Sequence, residues 1–220
     1  MAAESHGNLA ADAAAYLEKS ADAVESLGGS AEEIDRQAAC LVEWARERNV
    51  LLTDDYTAGL ERHRAATAEH EVFYRVLDNR AVKRTYAGTF GVTNEPKGKQ
   101  CHATPLFYLR RLELMNRIFG SDLRLEGVAL GKSLLIGAPG EKPCLVISQP
   151  WIDAADENLP HPSEAEVAEF MEALYFSPLT GTFYGWRNNE NEITVLDARP
   201  DNFIKSPVGV VPIDLVISRL

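Results

Sequence analysis

Two apolar runs near the carboxyl end, Ile193–Leu196 and Val208–Ile213, are interrupted by the polar hexamer Asp197-Ala198-Arg199-Pro200-Asp201-Asn202. No helix or strand runs through such a hexamer. Pro200 has no N–H to give to a ladder, and Asp and Asn side chains compete with the backbone for its hydrogen bonds. The hexamer is therefore a loop delivered by the strand Ile193–Leu196. Beyond it a hairpin is expected, Phe203–Ile204 leading out and Val208–Ile213 returning, with Ser206-Pro207 and Gly209 as its turn. Such a hairpin returns Asp214 to the neighbourhood of Asn202.

A carboxylate, a cation two residues on, a proline and an amide five residues on match the form D-x-K-P-x-N of the protein-kinase catalytic loop. The residue types suit phosphoryl transfer from ATP. Asp197 would orient the attacking hydroxyl and take its proton, and Arg199 would offset charge on the moving phosphoryl group. Asn202 and Asp214 offer the hard oxygens that Mg²⁺ prefers. The competing reading is an ordinary turn, with Asp214 a solvated carboxylate.

A chain of 220 residues, 45% hydrophobic and 25% charged, buries a proper core as one globular domain or one with an appendage. No apolar run approaches a membrane span, and Met1–Asn8 has neither the basic start nor the apolar centre of a signal peptide, so a cytoplasmic location is the expectation. Cys40, Cys101 and Cys144 are odd in number and widely spaced, which reads as reduced thiols. A net charge of −11 argues against wrapping nucleic acid.

In order, the chain opens with a helical hairpin. Asn8–Leu27 places Leu9, Tyr16, Leu17, Val24 and Leu27 on one face before Gly28-Gly29, and Ser30 with Glu33 has capping-box spacing ahead of Ile34, Leu41, Val42 and Ala45. These helices pack against the main body or join a second copy of the chain. A third helical piece is expected from Asp54 to about Ala65. Strands Glu71–Val76 and Arg80–Thr85 then flank the turn Leu77-Asp78-Asn79, and the second carries Lys83. After the loop Tyr86–Ala103, Thr104 and Pro105 start a helix that ends at Gly120. Its acid Glu113 either pairs at the surface with Arg110 or Arg117 or, as likeness to the helix that a kinase sets beside its strand lysine would imply, faces Lys83, a role that Asn116 one turn further also fits. Strands are expected at Leu125–Leu130, Ser133–Ile136 and Pro143–Ser148, the chain leaving the sheet around Ser148–Trp151. Ser163 with Glu166 caps a further helix with Val167, Phe170, Met171, Leu174 and Tyr175 as core, and Phe183, Tyr184 and Trp186 read as packing.

The blocks A-E-H-E-V-F-Y, A-V-K-R-T-Y-A-G-T-F-G, T-P-L-F-Y-L-R-R-L-E-L-M-N-R-I-F-G, V-I-S-Q-P-W-I, L-D-A-R-P-D-N-F-I and P-I-D, spread from about Ala68 to Leu220, resemble the polyvalent protein kinase family of bacterial and phage mobile-element proteins. The resemblance implies an α+β, protein-kinase-like fold: a helical extension (1–49), an antiparallel-sheet N-lobe (50–152) and a reduced C-lobe (153–220). It implies a nucleotide site with Lys83 on the phosphates, Glu69 and His70 where the phosphate loop belongs, Glu113 beside the lysine, and Ser148, Gln149 and Trp151 along the adenine edge. Asp197 and Arg199 would be catalytic, Asn202 and Asp214 would hold Mg²⁺, and ATP would donate phosphate to a protein, to the chain itself or to a small molecule.

The departures are specific. Val195-Leu196 stands where His-Arg normally precedes the catalytic Asp, Leu215-Val216 replaces Phe-Gly after Asp214, and Thr67-Ala68-Glu69-His70, in the place of the glycine-rich phosphate loop, contains no glycine. They favour one alternative, a catalytically weak nucleotide-binding module, and the helical extension offers another, an interaction protein working through its amino-terminal helices.

Overall fold

The computed structural model describes residues 9–24, 28–63, 69–94, 100–132 and 140–219. The fold is mixed α+β, and the chain divides into two compact units: one of residues up to Glu113 together with Asp122–Trp151, the other of Leu114–Ser121 with Ile152–Leu220.

In the first unit, α1 (Leu9–Ser20) and α2 (Ala31–Glu47) form the expected hairpin, and it packs in cis. Leu17, Leu41, Trp44 and Ala45 are fully buried. Helix α1 is shorter than Asn8–Leu27: Ala21 closes the last turn on Leu17, Asp22 adopts a left-handed conformation (φ 46°), and Val24, expected inward, is 72% exposed. Residue 27 lies outside the described residues. Ser30 caps α2 by accepting from the Glu33 N–H. Gly28 and Gly29 are closely packed, because a Cβ on Gly29 would lie 2.5 Å from Thr104 and one on Gly28 would lie 2.7 Å from Cys101 Sγ.

A six-stranded sheet follows, in the order β1 (Leu51–Leu52), β7 (Arg124–Lys132), β8 (Glu141–Pro150), β4 (Arg80–Thr85), β3 (His70–Arg75), β2 (Glu61–Arg62). Every pairing is antiparallel except β1 with β7. The helix expected at Asp54–Ala65 is instead a 3-10 turn, Asp54–Thr57, followed by β2, so Tyr56 and Leu60 pack against the sheet core of Phe73, Val82 and Val146. Gly127 sits at an irregularity in β7 where a Cβ would come within 2.3 Å of the Val50 carbonyl oxygen, so bare backbone is required for β1 to dock. Asn79 supplies the left-handed residue (φ 53°) of the β3–β4 turn.

The stretch read as the loop Tyr86–Ala103 contains a small hairpin, β5 (Val92–Asn94) with β6 (Gln100–His102). Helix α3 (Pro105–Phe119) starts where Thr104 Oγ1 accepts from the Phe107 N–H and stops at Gly120 (φ 64°). A fully buried side chain of α2 adds a second cap: Gln37 Oε1 accepts from the Leu106 N–H at 3.0 Å. The strand expected at Ser133–Ile136 lies outside the described residues.

The second unit carries α4 (Glu164–Ala173), β9 (Ser177–Pro178), β10 (Trp186–Asn188), β11 (Ile193–Leu196), β12 (Phe203–Ser206), β13 (Gly209–Pro212) and β14 (Val216–Arg219). Strands β14, β11, β10 and β9 form an antiparallel sheet in that order, while β12 and β13 form a separate hairpin. Ser163 and Glu166 make a reciprocal capping box. The core differs from the expected set: Val167 and Met171 are buried, but α4 ends at Ala173, Tyr175 turns left-handed (φ 63°) and is 84% exposed, and Phe176 takes the buried place. Phe119 stacks on Phe170 and Phe176 with ring centroids 6.1 and 6.3 Å apart, and Phe170 meets Phe203 edge-on at 5.9 Å. Trp186 packs as expected, whereas Phe183 is 95% exposed.

Candidate functional site

The loop after β11 is held by its own side chains. Asp197 has a left-handed backbone (φ 58°), a conformation that Asp and Asn tolerate better than most residues. Asn202 secures it, donating from Nδ2 to the Asp197 carbonyl at 2.7 Å and to Asp197 Oδ2 at 3.0 Å. Between them Ala198 is buried and gives its N–H to the Tyr184 carbonyl at 3.0 Å. Arg199 Nε lies 2.7 Å from Asp197 Oδ1, and Pro200–Asn202 make one 3-10 turn.

The same hydrogen-bonding logic delivers Asp214. The β12–β13 hairpin pairs Phe203 with Pro212, and the Ile213 N–H closes on the Asn202 carbonyl at 2.9 Å, so the residue before Asp214 is bonded to the amide residue itself. Strand β14 then pairs with β11, Leu196 opposite Val216. Asp197 follows one strand and Asp214 precedes the other, so both acids sit at the same end of that pair. Partial burial pushes the Asp197 carboxyl above its ordinary value; Arg199 and Asn202 oppose this, and the nearby charge of Asp214 adds to it.

Asn202 and Asp214 carry oxygens of the type that a hard cation takes. With Nδ2 of Asn202 committed to Asp197, its carbonyl Oδ1 is the end left for another partner, and Asp214 adds a half-buried carboxylate. Tyr184, whose carbonyl holds the loop, is itself left-handed (φ 57°) and donates from Oη to Glu164 at 2.8 Å. Sequence reading took Tyr184 for packing and missed this role. The signal was its place two residues before the strand that pairs with β11.

The first unit positions the other predicted residues. Lys83 lies in the middle of β4, opposite Val72 on β3 and Ile147 on β8, and is buried. Residues paired across antiparallel strands point to one side and alternate along the strand, so His70, Val72, Lys83, Thr85 and Ile147 share a face. Helix α3 covers it, since His70 Nε2 is 2.7 Å from Tyr108 Oη. Glu69, just before β3, pairs with Arg111 Nη1 at 3.0 Å, and the Arg111 guanidinium lies 5.7 Å from the Tyr108 ring centroid. Thr67-Ala68 lie outside the described residues.

Glu113 is not beside Lys83. Its Oε2 accepts from Arg110 at 2.7 Å, the surface pairing that was the alternative, and its Oε1 has no hydrogen-bond partner among the described residues. The reason is helical phase. The α3 face toward β3 is set by Tyr108 and Arg111, three apart, and Glu113 lies two residues round from it.

The sheet exit also differs. Strand β8 runs on to Pro150, so Ser148 and Gln149 are ladder residues, opposite Val82 and Ala81. Ser148 faces away from Lys83: its Oγ donates to Glu126 at 2.5 Å and accepts from Arg80 Nε at 2.9 Å, and its carbonyl accepts from Arg80 Nη2 at 3.1 Å. Ser148 is thus a structural residue within the unit. Gln149 is on the Lys83 side by alternation, and Trp151 rests between Tyr74 and His63, with ring centroids 4.8 and 5.5 Å away.

The network around Ser148 was invisible in the sequence. Arg80 also reaches Asp122 at 2.7 Å, and Arg75 joins Asp78, Glu126 and Tyr56. Burial opposes ionisation of Glu126, but bonds from Arg75, Ser148 and Tyr56 prevail and hold its carboxyl below the ordinary value. Burial and the same Glu126 push the Tyr56 hydroxyl up to about 12.

Comparison with protein-family models, curated proteins and solved structures gave no match. Among the described residues, no helix is long and apolar enough to cross a membrane.

Proposed function

We propose that this chain is an ATP- and Mg²⁺-dependent phosphotransferase of protein-kinase-like type, acting on an alcohol group of a protein, of itself or of a small molecule. The observation that carries the reading is the Asp197–Asn202 loop: an acid fixed by an amide, with the hairpin from that amide leading back to bond Asn202 just before a second acid. The first unit supports it with a largely antiparallel sheet, a lysine in the middle of a central strand, and a helix between the lysine strand and the sheet's return.

Each residue then has a task. Lys83 binds phosphate as a buried point charge. Asp197 accepts the hydroxyl proton, and the upward push on its carboxyl moves its basicity in the useful direction. Arg199, already on Asp197, is placed to offset charge on the transferred group. Asn202 and Asp214 would hold the metal, which when bound neutralises phosphate charge.

The test is incubation of the full chain with labelled ATP and Mg²⁺. Label is expected on the chain, on an added alcohol or in inorganic phosphate, and Asp214→Asn is expected to stop the transfer. Transfer that survives Asp214→Asn contradicts the reading. One observation favours the weaker alternative of a nucleotide-binding module: Asp197 is already engaged by a guanidinium at 2.7 Å, which blunts a base. That alternative predicts binding of MgATP with no transfer.

A further inference from the structure

Phosphate loops rich in glycine work by presenting backbone N–H groups at close range to the anion. Here the span between Arg62 and His70 contains no glycine, so side chains are left to grip the polyphosphate. Lys83 is one such group. The first unit holds a second cation toward the same face: Arg111 on α3, whose side chain is 7% exposed and paired at 3.0 Å with Glu69, at the end of that glycine-free span.

Arg111 is ordered for planar recognition. Its guanidinium lies over the Tyr108 ring, and Tyr108 is tied to His70 on the Lys83 face. The Glu69 carboxylate lies against bare backbone, since a Cβ on Gly91 would be 3.2 Å from its Oε2, and Gly91 is left-handed (φ 96°). A carboxylate on a buried guanidinium offers the fork of oxygens that a phosphate also offers. The α3 acid assigned to the lysine, Glu113, is turned to Arg110, so the charged α3 residue on the sheet side is a cation.

We infer that Arg111 is a second phosphate-binding residue, acting with Lys83 on a nucleoside triphosphate, and that Glu69 holds the anion's place on Arg111 until phosphate exchanges for it. This rests on the phosphotransferase reading and says how its nucleotide is gripped.

The experiment is a binding titration of the full chain with MgATP and, separately, with adenosine, the fold of each variant being checked by thermal melting. Arg111→Gln is expected to weaken MgATP about tenfold or more and to leave adenosine unchanged, and Arg111→Lys to recover only part of the loss. Glu69→Gln is expected to tighten MgATP severalfold. Folded Arg111 variants that bind MgATP as the wild type does overturn the inference. If Arg111→Gln does not fold, Glu69→Gln decides: tighter binding supports the inference, and unchanged or weaker binding overturns it. Should Lys83→Met weaken MgATP while the Arg111 and Glu69 variants leave it unaltered, this inference alone falls. A wild-type chain that binds no MgATP ends both readings.

Discussion

Asn202 donates from one amide nitrogen to both the carbonyl and a carboxylate oxygen of Asp197, at 2.7 and 3.0 Å, and so fixes a left-handed aspartate at the end of a strand. Replacing it with Ala removes both bonds while the Ile213 N–H still finds the backbone carbonyl of residue 202. A loss of ~1–3 kcal/mol is expected from denaturant unfolding of the variant, the range for leaving partly buried polar groups without partners. A stability within ~0.5 kcal/mol of the wild type would show that the loop holds without the amide.

Asp197 titrates above its ordinary value because it is partly buried, with Arg199 and Asn202 opposing. For an acid whose folded-state pKa exceeds the unfolded one, the ionised form opposes folding. That cost is complete above the folded-state value and vanishes below the unfolded one. Asp197→Asn should therefore gain on the wild type as pH rises through the folded-state value. Carboxyl NMR titration should also place Asp197 higher still in Arg199→Gln, and a downward move there would contradict the electrostatics.

Gln37 is fully buried and accepts at Oε1 from the Leu106 N–H, the first of α3. Gln37→Leu keeps the bulk and removes the acceptor, so a destabilisation of ~1–3 kcal/mol is expected, with faster hydrogen exchange at Leu106. Unchanged exchange there would mean that α3 is not held by the amino-terminal hairpin.

Glu166 is held at about 2 by Lys205 and the Ser163 cap. A depressed acid contributes stability that is present above its unfolded-state pKa and is lost as pH falls through about 2. Lys205→Met should raise the Glu166 pKa in an NMR titration and make α4 fray at a higher pH. An unmoved value would assign the shift to the cap alone.

Much of this arrangement was legible because it is local. The Asp197–Asn202 loop, the β12–β13 hairpin, the Asn79 turn, the Ser163–Glu166 cap and the Thr104–Gly120 helix all rest on residues within a few positions of one another, where turn and cap chemistry operate. What was missed is tertiary. Strand β2 replaces a helix because Glu61 and Arg62 pair with Tyr74 and Phe73 at the edge of the sheet. Glu113 misses Lys83 because helical phase is set by the packing of α3, and Tyr175 loses its core place to Phe176 because the helix ends at Ala173 and Tyr175 turns left-handed. Arg80, Ser148 and Glu126 meet only through strand register, which no spacing rule reveals. The exposed Phe183 has no structural explanation here.

Asp197 as the base of the proposed phosphoryl transfer is tested most directly by one substitution measured in two ways. In Asp197→Asn, MgATP should bind within about threefold of the wild type while phosphate transfer falls by at least ~100-fold, the lower range for loss of a general base. Transfer at the wild-type rate in a chain that still binds MgATP would contradict the account.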